Sequence, residues 1–227
     1  MKKIYYIAPW VLQTTIWIPT RIFFKLFCSY KVKGLKNLKE LEKNCFGTIF
    51  AVNHSSELDP IMIPASLPFF SCLMPMFYVS REQKFYVSSG WRQHIYGGLF
   101  FRLWGAHNAY TGKKDYDIAL RHHIQILKDG KSVCIFPEGR KTRDGEIAEG
   151  RPGVSFLAYR TKSPVVPVRI RGLYKPHTQR DFLGRKKIEV IFGQPIYPND
   201  LFGDKKEVSI EEFKNAREVI MDKIREL

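Results

Sequence analysis

The sequence predicts an α/β fold: a largely parallel or mixed central sheet flanked by helices, with a hydrophobic helical segment at the N-terminus. Three observations carry this. Short apolar runs bounded by turn residues, GTIFAV at 47–52, KSVCIF at 131–136 and VVPVRIRG at 165–172, have the length and β-branched content of buried strands. Stretches of helical spacing separate them, so strand and helix alternate along the chain. At 227 residues the chain suits one well-packed core with an appendage, and a second full domain is not expected.

Taken in order, residues 4–20, IYYIAPWVLQTTIWIPT, carry no charge and follow Lys2 and Lys3. No small-residue cleavage site follows, because the chain runs on into RIFFKLFCSY, so a removed signal peptide is not expected. Pro9 and Pro19 argue against one straight helix, and the uncharged stretch is at the short edge of what spans a bilayer. Residues 1–30 therefore read as an aromatic-ended anchor embedded in the membrane or lying in its interface. The alternative is a hydrophobic helix packed on the core. Residues 31–227 read as the soluble domain.

In that domain KVKG ends a strand, GTIFAV is a buried strand, and PIMIPASL is a helix kept short by Pro64. MPMFYVS is a further strand, and 91–104 look helical. Residues 113–128 read as one amphipathic helix with Ile118, Leu120, Ile124 and Leu127 on its apolar side, stopped by Asp129-Gly130 before the strand KSVCIF. GVSFLAYR is a helix, VVPVRIRG and KKIEVIFGQPI are strands, and SIEE at 209–212 is the capping pattern of a C-terminal helix.

A net charge of +15 predicts affinity for phosphate-bearing partners: nucleic acid, anionic lipid or a phosphorylated substrate. The aromatic residues gather in the first 30 positions and between 69 and 110, among apolar neighbours, which favours lipid; no nucleic-acid partner is expected. Cys28, Cys45, Cys72 and Cys134 are widely spaced beside apolar stretches and read as buried thiols, which implies a reducing, cytoplasmic setting. His122 and His123 are adjacent, so on a helix they diverge by about 100° and make no one-face metal pair; no metal is assigned.

Two clusters carry chemistry. In NHSSELDP, at 53–60, His54 and Asp59 stand five positions apart, about 140° on a continuous helix, so they can meet only if the chain turns between them. Asp59-Pro60 looks like an N-cap followed by proline at the first helical position, which supplies that turn. Taken alone, Asp59 reads as a cap and His54 as a satisfied buried histidine. The second cluster, FPEGRKTRDGE at 136–146, places Glu138 and a turn-forming Gly139 before three cations, Arg140, Lys141 and Arg143, with Arg151 following. A bare charge cluster is usually a solvated loop, but this one leaves a buried strand beside a glutamate.

These blocks resemble the glycerolipid acyltransferases, the family that includes 1-acylglycerol-3-phosphate acyltransferase. That family carries NHxSxxD, a glycine-led block ending in arginine, FPEGTRS and a VVPV-like strand. Here stand NHSSELD at 53–59, GAHNAYT at 105–111, FPEGRKT at 136–142, VVPV at 165–168 and FGQPI at 192–196, spanning about residues 31–195. Thr111 stands in place of the usual arginine, Arg140 in place of threonine and Lys141 in place of arginine, while Lys113 and Lys114 keep the second block basic.

The resemblance implies transfer of a fatty acyl group from acyl-CoA or acyl-carrier protein to a lysophospholipid hydroxyl, lysophosphatidate being the family default and another lysolipid acceptor remaining open. It implies no cofactor beyond that donor. It also implies His54 as general base, Asp59 as its orienter, and Ser55 and Ser56 as turn or oxyanion support. Glu138, Gly139, Arg140, Lys141 and Arg143 would form the acceptor site, on a protein associated with the cytoplasmic side of a membrane. The rival from another class is a non-catalytic basic protein that binds lipid or nucleic acid, and a hydrolase using Ser55 or Ser56 is the competing enzyme.

Overall fold

The computed structural model describes residues 4–80, 99–110, 115–174 and 185–227. In chain order the helices are α1 (Ile4–Phe27), α2 (Lys39–Asn44), α3 (Asp59–Ser66), α4 (Leu99–Trp104), α5 (Tyr116–Ala119), α6 (Arg121–Lys128), α7 (Gly153–Thr161), α8 (Pro198–Phe202) and α9 (Ile210–Glu226). The strands are β1 (Ser29–Lys33), β2 (Ile49–Val52), β3 (Met76–Ser80), β4 (Ala106–Asn108), β5 (Ser132–Ile135), β6 (Val165–Arg171) and β7 (Lys187–Phe192).

They form one sheet in the order β1-β7-β6-β2-β5-β3-β4, parallel throughout except for the antiparallel β6–β7 pair. The expected mixed sheet is therefore present. Alternate residues of β2 face opposite sides. Phe50 and Val52 join a core with Phe24 of α1 and Met62 of α3, while Ile49 and Ala51 join one with Leu127 of α6, Leu157 of α7 and Ile220 of α9. Both sheet faces are covered, which is why β2 and β5 are buried at every position. Parallel neighbours end at the same edge. Ala51 pairs with Ile135, so the segments that follow β2 and β5 leave the sheet side by side.

The structure corrects the sequence in several places. The N-terminal segment is one continuous 24-residue helix despite Pro9 and Pro19. A helix-interior proline costs a hydrogen bond, and here tertiary contacts offset the loss. Gln13, fully buried, donates through Nε2 to the Met76 and Trp104 carbonyls (2.7 and 2.9 Å) and accepts from the Met76 amide (2.8 Å); Trp17 Nε1 donates to the Leu67 carbonyl at 3.0 Å. One side of α1 is thus docked on the core, as in the alternative reading, while Ile7, Trp10, Val11, Ile18, Ile22 and Leu26 are exposed along it. Among the described residues no helix is long and apolar enough to cross a membrane.

The helix expected over 113–128 is two, broken at Leu120. Asp115 caps α5 through its side chain, and the Ala119 carbonyl accepts from the Tyr110 amide at 3.1 Å, drawing the chain aside where a single helix would run on. Ile118 consequently lies exposed, off the buried face that Leu120, Ile124 and Leu127 share. Of the helix expected over 91–104, α4 is the described part; residues 91–98 lie outside it. β4, inside the block GAHNAYT, was not foreseen.

Cys28 and Cys134 are buried thiols, as expected, and burial raises the pKa of both. Cys45 and Cys72 instead form a disulfide, with Cα atoms 5.7 Å apart. Spacing could not reveal it, since the fold brings the end of α2 to the loop after α3, where the Glu42 carboxylate accepts from Ser71 Oγ and the Cys72 amide. The reducing setting inferred from four free thiols loses that support.

Candidate active site

β2 ends inside the sheet, and Asn53 converts that end into a turn. Its amide grips Ile170 of β6 on both sides: Nδ2 donates to the carbonyl at 3.0 Å and Oδ1 accepts from the amide at 2.7 Å. The chain then folds back on Asp59. Oδ2 of Asp59 accepts from the Ser55 and Ser56 amides at 2.7 and 2.8 Å and lies 2.9 Å from His54 Nδ1; Ser55 Oγ donates to Oδ1 at 3.3 Å. The two side chains converge across the turn, as the five-residue spacing requires. The cap is one residue earlier than expected. Leu58 is the N-cap and Asp59 the first helical residue, so its carboxylate points back into the turn instead of forward along α3.

Asp59 is wholly buried, and where its carboxylate accepts an Nδ1–H hydrogen bond from the imidazole the Nε2 lone pair is left free to act. The imidazole stacks on Phe136, ring centres 4.2 Å apart and planes at 20°, and its side chain keeps 19% exposure. It is held on one side and open on another. Ser56 Oγ accepts from the Leu58 amide at 3.2 Å, so both serines serve the turn.

The segment after β5 grips the same turn. Glu138, 5% exposed, accepts the His54 amide on one oxygen (2.8 Å) and the Ala148 amide on the other (2.9 Å), while the Thr142 amide donates to the His54 carbonyl at 2.8 Å. His54 is thereby fixed through its backbone by Glu138 and Thr142 and through its ring by Asp59 and Phe136. Burial raises the Glu138 pKa, and the His54 and Ala148 amides act against that. Gly139 has φ +67°, and a Cβ there would stand 3.0 Å from Arg151 Nε, so the turn and the overlying arginine both call for glycine.

Arg140, Lys141 and Arg143 are exposed on this loop, and Lys141 pairs with Glu57 of the turn at 2.8 Å. Thr111, Lys113 and Lys114 lie outside the described residues. Sequence reasoning did not find Asn53 as the brace to β6 or Phe136 as the stacking partner of His54. Only the place of each as the first residue of a recognised block, NHSSELD and FPEGRKT, could have pointed to it.

Elsewhere, His107, His122 and His123 gather between β4 and α6. Burial, first, lowers His107 to about 4 and His123 to about 3. Among the described residues no group of three or more His, Cys, Asp or Glu is placed to hold a metal ion.

A family model described as Acyltransferase matches residues 29–171, more than half of the chain and all of the residues just placed. The chain belongs to this acyltransferase family. The resemblance to glycerolipid acyltransferases read from the motifs is thereby upheld. Among similar acyltransferases, the chloroplastic 1-acyl-sn-glycerol-3-phosphate acyltransferase BAT2 of Brassica napus is 25% identical over 83% of this chain and 50% of the relative. A probable 1-acyl-sn-glycerol-3-phosphate acyltransferase of Mycoplasma pneumoniae is 26% identical over 74% of this chain and 64% of its own length. The chain thus spans from half to just under two thirds of these acyltransferases. In fold it is similar to the crystal structure of the 1-acyl-sn-glycerophosphate (LPA) acyltransferase PlsC from Thermotoga maritima, with TM-score 0.60 and 22% identity over 91% of this chain and 75% of that one.

Proposed function

We propose that this protein transfers a fatty acyl group from acyl-CoA or acyl-carrier protein to the free hydroxyl of a lysophospholipid, 1-acyl-sn-glycerol-3-phosphate being the favoured acceptor and phosphatidate the product. The observation that carries the reading is the 2.9 Å contact between His54 Nδ1 and the buried Asp59 carboxylate. His54 Nε2 removes the hydroxyl proton as the oxygen attacks the thioester carbonyl, and Asp59 stabilises the imidazolium. Collapse of the tetrahedral intermediate breaks the C–S bond. The departing thiolate takes the proton from His54, leaving an ester and a free thiol. No nucleophilic serine takes part, in keeping with the bonds of Ser55 and Ser56 to the turn.

Arg140, Lys141 and Arg143 hold the acceptor phosphate, and Glu138 and Gly139 shape the loop that presents them. Membrane association is supported by the exposed apolar residues of α1, a helix packed on α3, whose first residue is Asp59, and its assignment to the cytoplasmic side rests on the family resemblance. The test is acyl transfer to lysophosphatidate by wild type and His54→Ala, with products resolved by mass spectrometry. The reading expects phosphatidate from wild type and near-total loss in the variant. Full activity without His54, or release of free fatty acid in place of transfer, overturns it.

A further inference from the structure

Arg217 of α9 lies beyond the stretch matched by the family model, yet its guanidinium reaches the loop that follows β5. It is 8% exposed. Nη1 donates to the Gly150 carbonyl at 2.9 Å and to Glu149 Oε1 at 2.7 Å, and Nη2 pairs with Glu218. A buried cation of this kind is a weak source of stability, because an apolar side chain of similar volume often serves as well. Its particular contribution is direction: it fixes where the Gly150 carbonyl lies.

The contact falls at the neck of the loop. The Arg151 amide donates to the Pro137 carbonyl at 2.8 Å, closing residues 137–151 on themselves. Gly150 is wedged there, since a Cβ would stand 2.8 Å from Met221 Sδ, one turn beyond Arg217 on α9, and 3.2 Å from Pro137 Cβ. Within the closed loop Glu138 bonds the Ala148 and His54 amides, and the three exposed cations follow it. The neck is thus one of the anchors that place what the loop presents, beside the Thr142 amide on the His54 carbonyl and the Tyr174 hydroxyl on the Arg143 carbonyl.

We propose that Arg217 is a positioning residue for the acceptor end of the site: through Gly150 and Glu149 it fixes the loop neck, and so the location of Arg140, Lys141 and Arg143 relative to His54. This rests on the acyl-transfer reading above. In Arg217→Met, KM for lysophosphatidate rises about tenfold while KM for acyl-CoA and kcat stay within about threefold, the separation expected when only acceptor binding is loosened. Arg217→Lys, which keeps a donor for the Gly150 carbonyl, recovers part of the loss.

Hydrogen exchange supplies a readout free of activity: the Thr142, Ala148 and Arg151 amides exchange about tenfold faster in Arg217→Met, with the strand amides unchanged. Unchanged acceptor KM and unchanged loop exchange overturn the proposal. So does an equal rise in both substrates' KM with a fall in kcat and a lowered Tm, which marks general destabilisation. Should Arg217→Met fail to fold, Glu149→Gln, altered at an exposed side chain, is expected to raise acceptor KM about twofold and speed Arg151 exchange; neither change occurring overturns it. If wild type transfers no acyl group to any lysolipid, the acyl-transfer reading fails, while the exchange measurement still decides whether Arg217 holds the loop.

Discussion

The turn after β2 and the loop after β5 leave the sheet side by side but are built differently. The turn is closed by local bonds within residues 54–59, most of them gathered on one buried carboxylate. The loop is closed by its neck, by one buried glutamate and by a helix far along the chain, and it exposes its cations. A local, buried constellation suits proton transfer, which tolerates little displacement. A longer solvated loop suits recognition of an anion, where several donors share the load.

Breaking the turn should have the largest effect. His54→Ala is expected to lower kcat/KM by about 10²–10⁴, the usual contribution of a positioned general base. Asp59→Asn should cost as much within about tenfold, because the amide no longer enforces the Nδ1-protonated tautomer. Single-turnover acyl transfer measures both, and a variant within twofold of wild type would contradict the dyad.

Glu138→Gln probes the join between the two regions. Glutamine keeps the size but sets an NH2 against one of the two backbone amides, a loss of about 1–3 kcal/mol for an unsatisfied buried donor. Lower thermal stability and slower transfer together are expected. Loss of activity alone at unchanged Tm would mean that Glu138 acts on substrate directly. Breaking the recognition side is milder. Arg140→Ala and Lys141→Ala should each raise acceptor KM about tenfold or less with little change in kcat, Lys141 the less because it already pairs with the exposed Glu57.

The smallest effect concerns the β4 edge. His107 and His123 titrate below the ordinary histidine value when folded, so the unfolded chain binds protons first as pH falls. Their contribution is intact above about pH 6.5 and is lost progressively as pH drops toward about 4 for His107 and about 3 for His123. Urea midpoints measured from pH 7.5 to 5 should decline, and less steeply in His123→Leu. An equal slope in the variant would show that other groups govern the acid response.

Much of this was legible in the sequence. TIFAV, KSVCIF and VVPV read as buried strands because β-branched residues cannot hide their bulk elsewhere at that length, and the capping box at Ser209 announced α9 through reciprocal local bonds. The His54–Asp59 pairing was legible as a geometric condition on a turn. What failed did so where distant contacts override local preference: Pro9 and Pro19 are carried inside α1 by Gln13 and Trp17, and the Tyr110 amide draws aside the helix expected over 113–128. Cys45 and Cys72 meet only after α2 packs beside the loop that follows α3.

The sequence by itself determined the strands other than β4, the family blocks and the need for a turn between His54 and Asp59, all consequences of chemistry within a few residues. Tertiary structure alone decided the rest. Phe136 under the imidazole, Asn53 braced on Ile170, Glu138 on the His54 amide and Arg217 on the Gly150 carbonyl join residues distant in sequence, and no spacing rule foretells which of them a sheet will bring within a hydrogen bond.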